Sequence, residues 1–159
     1  MCTFLFGDFM KNMNFFDIAY EEALIAYNNG EVPVGCVIVK DGEVLAKTHN
    51  RKDELKSVLG HAELLAIEEA SAKLDNWRLL DCDIYITLDP CPMCASAIKQ
   101  ARIKNVYSAL NNTDEKYLEI IEKIFIGDNT NPSVNFISNL AVDKSKNLLN
   151  SFFKKQRNN

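Results

Sequence analysis

Two cysteines, a histidine and a glutamate in the middle of the chain have the types and spacing of a catalytic metal site. Cys91 and Cys94 are three residues apart, His61 lies thirty residues before Cys91, and Glu63 follows His61 by two residues. Two thiolates and one imidazole suit a zinc ion and leave its fourth tetrahedral position for water. A carboxylate beside such a water can carry a proton, so Glu63 is predicted to be the proton carrier of a hydrolytic zinc centre.

The two cysteines are predicted to lie in the first turn of a helix. Side chains at positions i and i+3 share one helical face with β-carbons about 5–6 Å apart, so both sulfur atoms can reach one ion. The positive end of the helix dipole also favours the thiolate, which is the form that binds metal. Because His61 opens a second predicted helix, we expect two helix starts to converge on the ion.

The chain contains one other histidine and three other cysteines. His49 lies in or beside a predicted strand and has no carboxylate two residues later, so His61 is the better ligand. Cys2, Cys36 and Cys82 are alternative fourth ligands of a structural zinc, but none of them belongs to a second pair with ligand spacing. A structural zinc module stays an alternative, although it would leave the glutamate without a role.

Alternating helices and strands predict the scaffold that positions this site. The residue patterns predict helices over 13–29, 61–74, 90–101, 114–125 and 142–156, and strands over 34–39, 43–49, 84–88, 106–110 and 135–137. A turn at Asp41-Gly42 makes the first two strands antiparallel, whereas strands separated by helices are expected to be parallel. The predicted fold is a three-layer α/β/α domain with a mixed five-stranded sheet, in which residues 50–60 form a loop.

The length of 159 residues fits a single domain, which we expect over 13–159 after a loose extension over 1–12. No apolar run approaches the roughly 20 residues needed to cross a membrane. The first residues also lack the basic leader and long apolar region of a secretory signal, and an odd number of cysteines favours reduced thiols. We therefore expect a cytoplasmic protein without a membrane segment.

The net charge of −4 is unevenly distributed along the chain. Residues 143–159 contain five basic side chains and one acidic side chain, so the rest of the chain is strongly acidic. Salt confines electrostatic attraction to about 8–10 Å, and local charge therefore matters more than the total. The closing helix can meet phosphate despite the acidic balance of the whole protein.

The sequences His61-Ala-Glu63 and Pro90-Cys-Pro-Met-Cys94 together resemble the signature of zinc-dependent nucleobase deaminases. Within that superfamily the chain resembles the bacterial tRNA adenosine deaminases from about residue 15 to residue 157. The further matching segments are Glu31-Val-Pro-Val-Gly35, Asn50-Arg51, Asn76-Trp-Arg-Leu-Leu-Asp81, Ala95-Ser-Ala-Ile98, and Leu148-Leu149 with Phe152-Phe153. The resemblance implies a cytidine-deaminase-like fold, one Zn²⁺ per subunit, a homodimer, and conversion of the wobble adenosine of an arginine tRNA to inosine.

The resemblance also implies roles for residues around the metal. Glu63 would pass a proton to the ring nitrogen and then to the departing amine as water attacks carbon 6 of adenine. Asn50 would hydrogen-bond the purine edge, and the backbone N–H of Ala62 would help to hold the base. Pro33 and Val34 would form part of the pocket wall.

The closing helix would contact the RNA. Phe153 would pack against splayed nucleotides, and Lys154, Lys155 and Arg157 would meet phosphate, although solvated surface is the alternative from charge alone. Neighbouring residues of a helix cannot share a face, so we expect one of Phe152 and Phe153 in the core and the other on the surface.

Two segments near the expected RNA site depart from the family pattern. Residues 51–60 lack the usual aspartate-proline before the histidine. Asn111 stands where an aspartate is usual, and Asn112-Thr-Asp-Glu-Lys116 replaces a lysine- and glycine-rich loop. These changes leave the metal chemistry untouched but alter the surface that meets the nucleotide backbone. A deaminase of a free base or nucleoside, such as guanine, cytosine or cytidine, therefore stays the alternative function.

Overall fold

The computed structural model describes the backbone of residues 2–159 and the side chains of residues 14–159. Its elements are, in chain order, α1 (Cys2–Asn28), β1 (Gly35–Lys40), β2 (Glu43–His49), α2 (Lys52–Leu55), α3 (Ala62–Leu74), β3 (Cys82–Ile86), α4 (Pro92–Gln100), β4 (Asn105–Ser108), α5 (Glu115–Phe125), β5 (Asn135–Ile137) and α6 (Val142–Arg157). The strands form one five-stranded sheet in the order β2-β1-β3-β4-β5.

The sheet is mixed, as predicted. Strand β1 pairs antiparallel with both β2 and β3, whereas β3 with β4 and β4 with β5 are parallel pairs. The β1–β2 hairpin turns at Asp41 and Gly42, whose φ angles of 50° and 79° fit the two-residue turn that matches the twist of a hairpin. Because β1 lies between β2 and β3, the connection through α3 crosses over β1, and it brings the start of α3 close to the end of β3.

Helices cover both faces of the sheet, which confirms the three-layer α/β/α architecture. On one face α1 contributes Phe15, Phe16 and Ala19, and the sheet contributes Val37, Val39 and Tyr85. The core on the other face contains Cys36, Ile38, Ile84, Ile86 and Val106 from the sheet with Ala62, Ala66, Ala70, Ile98, Ile121 and Phe125 from α3, α4 and α5. Helix α6 packs against α1.

Helix α1 approaches β1 closely at Gly35. A β-carbon added at Gly35 would lie 1.8 Å from the carbonyl oxygen of Ala19, so only glycine fits this contact. The close approach fixes the segment between α1 and β1, which leads to the cavity described below.

Two elements differ most from the predicted pattern, and the other predicted bounds agree within two residues. Helix α1 begins at Cys2 rather than at residue 13, because no proline interrupts residues 2–12 and a formed helix propagates readily. The predicted loop over 50–60 contains the short helix α2, whose first N–H groups bind the carboxylate of Glu31. The division into a 1–12 extension and a 13–159 domain stays a prediction.

None of the helices over residues 2–159 is both long and apolar enough to cross a bilayer.

Candidate active site

Two helix starts hold the predicted metal ligands. His61 is the N-cap of α3 and Cys91 is the N-cap of α4, both with extended backbone. The prediction that Cys91 lies inside the first turn is wrong by one position, because Pro92 occupies the first helical position, where its fixed φ angle is favourable. Cys94 is the third residue of α4 and is fully buried.

The three ligand atoms lie close together. The Nδ1 atom of His61 is 3.6 Å from the Sγ atom of Cys91 and 3.4 Å from the Sγ atom of Cys94. All three atoms lie within 4.8 Å of one another. A tetrahedral zinc ion holds sulfur at about 2.3 Å and nitrogen at about 2.0–2.1 Å, which places its ligands roughly 3.5 Å apart. The donor set and the spacing therefore fit zinc.

The two thiols form a coupled pair. Hydrogen bonding from the side chain of Cys94 lowers the pKa of Cys91 to about 5. The same contact, followed by burial, raises the pKa of Cys94. Cys91 is therefore the thiol of the pair that loses its proton more readily, and the thiolate is the form that binds metal.

Glu63 is the second residue of α3 and lies next to the ligands. Its side chain is buried, with a residue exposure of 4%. Burial raises the pKa of the Glu63 carboxyl to about 7. A group with this pKa can both accept and return a proton near neutral pH, which is what general acid–base catalysis requires.

A cavity of about 200 Å³ opens beside these residues. Its walls are formed by Val32, Val34, Asn50, Lys52, His61, Ala62, Glu63, Leu88, Asp89, Cys91, Asn112 and Tyr117. The predicted site residues Asn50, Ala62 and Val34 therefore meet the ligands and the glutamate at one place. Pro33 is buried between two lining residues and does not itself line the cavity.

Local hydrogen bonds hold Asn50 at the cavity. Its backbone N–H donates to the carbonyl of Val34 at 3.0 Å, and its Nδ2 donates to the carbonyl of Val32 at 3.3 Å. Its Oδ1 accepts the N–H of Lys52 at 3.3 Å. One amide thus joins the two segments that form this side of the wall.

Several lining residues were not identified from the sequence. Asp89 follows β3 and accepts the backbone N–H of Asn112, which follows β4, at 3.0 Å. The carboxyl ends of neighbouring parallel strands are common ligand-binding positions, and this rule could have indicated both residues. The sequence did not indicate Lys52 as a cavity residue, because its segment was predicted to be a loop. It did not indicate Tyr117 either, because the spacing of Tyr117 is that of an ordinary apolar position in a helix.

The other histidine and the other described cysteines, which are the alternative metal ligands, lie outside the cluster of His61, Cys91 and Cys94. The Nδ1 atom of His49 is 2.6 Å from the Oε2 atom of Glu22. Cys36 and Cys82 are buried within strands and lie outside the ligand cluster found among the described side chains. Burial raises the pKa of both thiols. Cys2 falls outside the residues whose side chains the structure describes.

Helix α6 places its two phenylalanines as expected. Phe152 is 6% exposed and Phe153 is 45% exposed, which confirms the prediction of one core and one surface residue. The ring of Phe152 lies 6.2 Å from that of Tyr27 at the end of α1, and the hydroxyl of Ser151 lies 3.1 Å from that of Tyr27. The exposed Lys154 and Arg157 follow on the same helix. The basic end of α6 therefore lies beside the end of α1 and does not line the cavity.

Comparison with known sequences assigns the chain to a group of deaminases. The profile of the MafB19-like deaminase family matches residues 10–157. The tRNA-specific adenosine deaminase of Aquifex aeolicus strain VF5 is 42% identical over 149 residues, which cover 91% of this chain and 95% of that protein. These matches confirm the resemblance that the motifs indicate.

Solved structures support the same conclusion. A tRNA:A34 deaminase, described as editing A to I at the wobble position of transfer RNA, is 37% identical with a TM-score of 0.78, covering 86% of this chain and 99% of that chain. Guanine deaminase from Bacillus subtilis is 32% identical with a TM-score of 0.61, covering 92% of this chain and 94% of that chain. The first match confirms the cytidine-deaminase-like fold. The tRNA:A34 deaminase exceeds this guanine deaminase in both sequence identity and TM-score. With the sequence matches, this shows that the chain belongs to the family of tRNA-specific adenosine deaminases.

Proposed function

We propose that the protein is a zinc-dependent hydrolase that converts adenosine at the wobble position of a tRNA anticodon to inosine. One observation carries this proposal: His61, Cys91 and Cys94 meet at the wall of a cavity that also contains the buried carboxyl of Glu63. A structural zinc site normally has four protein ligands, and the cluster in the described side chains offers three. A zinc ion held by these three residues would have a fourth position for water, and Glu63 lines the same cavity.

The proposed mechanism assigns roles to the chain's own residues. His61, Cys91 and Cys94 would hold one Zn²⁺ per subunit, which would supply an acidified water for attack at carbon 6 of adenine. Glu63 takes one proton from the water and delivers it to the ring nitrogen. It then takes the second proton from the hydroxyl group bound to carbon 6 and delivers it to the departing amine, which leaves as ammonia. The burial that raises the pKa of Glu63 to about 7 suits both transfers.

The base is held by other groups that line the cavity. The N–H of Ala62 belongs to the first residue of α3, where no helical acceptor is available, so it can donate to the base. The side-chain amide of Asn50 meets the purine edge, and Val34 forms part of the wall. Pro33 acts indirectly, because its rigid ring supports the lining residues on either side.

The proposed substrate is the anticodon loop of an arginine tRNA. The base leaves the stack to reach the cavity, as is usual for enzymes that act on single-stranded RNA. Phe153 contacts splayed nucleotides while Lys154, Lys155 and Arg157 bind phosphate near the end of α1. We further propose a cytoplasmic homodimer in which each anticodon loop touches both subunits. The family membership supports these assignments.

A comparison of substrates tests the proposal. The zinc-loaded protein is incubated with a synthetic arginine-tRNA anticodon stem-loop, with free adenosine, with guanine and with cytosine. We expect inosine at the wobble position and little reaction with the free compounds. A stem-loop with guanosine at that position serves as the control and should not change. Deamination of guanine alone would favour the second candidate, which the similarity to Bacillus subtilis guanine deaminase motivates.

A further inference from the structure

Apart from the predicted metal ligand His61, Tyr117 is the described cavity residue whose ring could cover the face of a base. Among the lining residues over 14–159 it is the only phenylalanine, tyrosine or tryptophan. The lining also contains the aliphatic side chains of Val32 and Val34. A cavity lined by an aromatic ring and aliphatic side chains is of the kind in which extruded bases are held.

The helix α5 fixes the position of this ring. Tyr117 is its third residue, and Ile121 and Phe125 follow at intervals of four, so the three side chains lie along one helical face. Ile121 is fully buried and Phe125 is 3% exposed, and together they anchor this face in the core. Tyr117 is only half-buried, because the buried face of α5 ends at the cavity.

The hydroxyl of Tyr117 makes no hydrogen bond to the described residues, so the ring is not held by an internal partner. Burial, assisted by the nearby Cys91, Cys94 and Glu63, raises the pKa of Tyr117 to about 12. The phenol therefore stays neutral near pH 7 and does not compete with Glu63 for protons. Its contribution is a neutral aromatic surface at the metal end of the cavity.

We propose that Tyr117 stacks on the purine of the target adenosine and thereby positions it for attack. The inference rests on the proposed function, because it assumes that an adenine enters this cavity. It assigns the aromatic contact inside the cavity to Tyr117, whereas Phe153 lies on the outer surface of α6 and contacts nucleotides outside it. Tyr117 is thus a positioning residue that acts on the base by stacking and takes no part in proton transfer.

Two substitutions distinguish the contribution of the Tyr117 ring from that of its hydroxyl group. Tyr117→Phe keeps the aromatic face, whereas Tyr117→Leu keeps an apolar side chain that still packs on Ile121 but cannot stack. We expect Tyr117→Phe to stay within about twofold of wild type in kcat/KM for the stem-loop. Tyr117→Leu should lower it about five- to tenfold, in line with the contribution of base–aromatic stacking. Zinc content and thermal unfolding, measured on the same samples, should be unchanged in both variants.

The fluorescence of a base analogue provides a second test. It would not change if Tyr117 had a purely structural role. A stem-loop with 2-aminopurine at the wobble position binds without reacting, because this base has no amine at carbon 6. Its fluorescence reports whether the extruded base stacks on a ring. We expect weak fluorescence in complexes with wild type and Tyr117→Phe, and clearly brighter fluorescence with Tyr117→Leu at saturating protein.

The outcomes distinguish the inference from the function on which it rests. Equal fluorescence in all three complexes, or an unchanged kcat/KM in Tyr117→Leu, would overturn the role of Tyr117 while the deaminase function stands. If the stem-loop neither binds nor reacts with the zinc-loaded wild-type protein, the proposed function fails and the inference fails with it.

Discussion

The Nδ1 atom of His61 lies 3.4 Å from the Sγ atom of Cys94, although the two residues belong to different helices. The crossover of α3 over β1 and the turn after β3 bring these helix starts together. Because the ligands come from two remote segments, the set exists only in the folded chain. Zinc binding is therefore expected to stabilise the folded state.

Replacing a ligand should remove the metal while replacing a distant cysteine should not. We expect Cys94→Ala to lower zinc affinity by more than roughly a hundredfold, since even changes behind the ligands cost about 10–100-fold. The control is Cys82→Ala, which removes a buried thiol outside the cluster. Zinc per chain after dialysis, measured by atomic emission, is the readout. Retention of a full equivalent by Cys94→Ala would refute the assignment of this ligand.

Glu31 should stabilise the segment that carries Asn50 and Lys52 to the cavity. Its buried carboxylate accepts the N–H groups of Asp53 at 3.2 Å and Glu54 at 2.8 Å. Glu31→Gln leaves one of these donors poorly satisfied, and we expect a loss of about 1–3 kcal/mol in the free energy of unfolding together with a higher KM for the stem-loop.

The matched control for Glu31 lies in the same segment. Glu54→Gln breaks an exposed ion pair with Arg51, a kind of contact that adds little stability. Its urea unfolding curve and its KM should stay close to those of wild type. If Glu31→Gln and Glu54→Gln behave alike in both measurements, Glu31 does not organise the cavity wall.

The adjacent phenylalanines of α6 should respond differently to truncation. Phe152→Ala removes a buried ring beside Tyr27 and should cost about 3–5 kcal/mol of stability. Phe153→Ala removes an exposed ring, so the stability should hardly change while the Kd for the stem-loop rises about fivefold or more. Thermal unfolding and fluorescence anisotropy measure the two effects. Unchanged RNA binding by Phe153→Ala would exclude its nucleotide contact.

The metal site could be predicted from the sequence because the spacings that indicate it lie within short segments of the chain. The interval between Cys91 and Cys94 and that between His61 and Glu63 each fall within one helical turn, where the period of the helix fixes their relative positions. The sequence pattern did not predict the order of the strands in the sheet. The hairpin turn and the alternation of helices and strands nevertheless predicted that the sheet is mixed.

The rest of the cavity wall could not be predicted in this way. Lys52 and Tyr117 reach it from segments 65 residues apart, and nothing in either local pattern indicates that they meet. Helix α2 was missed because four residues carry too little periodicity, and its start depends on the distant Glu31. Features that need a contact between remote segments become visible only in the folded chain.

The central claim, that a metal at His61, Cys91 and Cys94 acts with Glu63 on an adenosine in RNA, is tested most directly by Glu63→Gln. The amide keeps the size of the side chain but cannot carry the proton. Zinc content and single-turnover deamination of the stem-loop are measured on one preparation. We predict a full equivalent of zinc, stem-loop affinity within a few-fold of wild type, and a deamination rate reduced by at least roughly 10²–10⁴-fold. Turnover at the wild-type rate by the zinc-loaded variant would contradict the account.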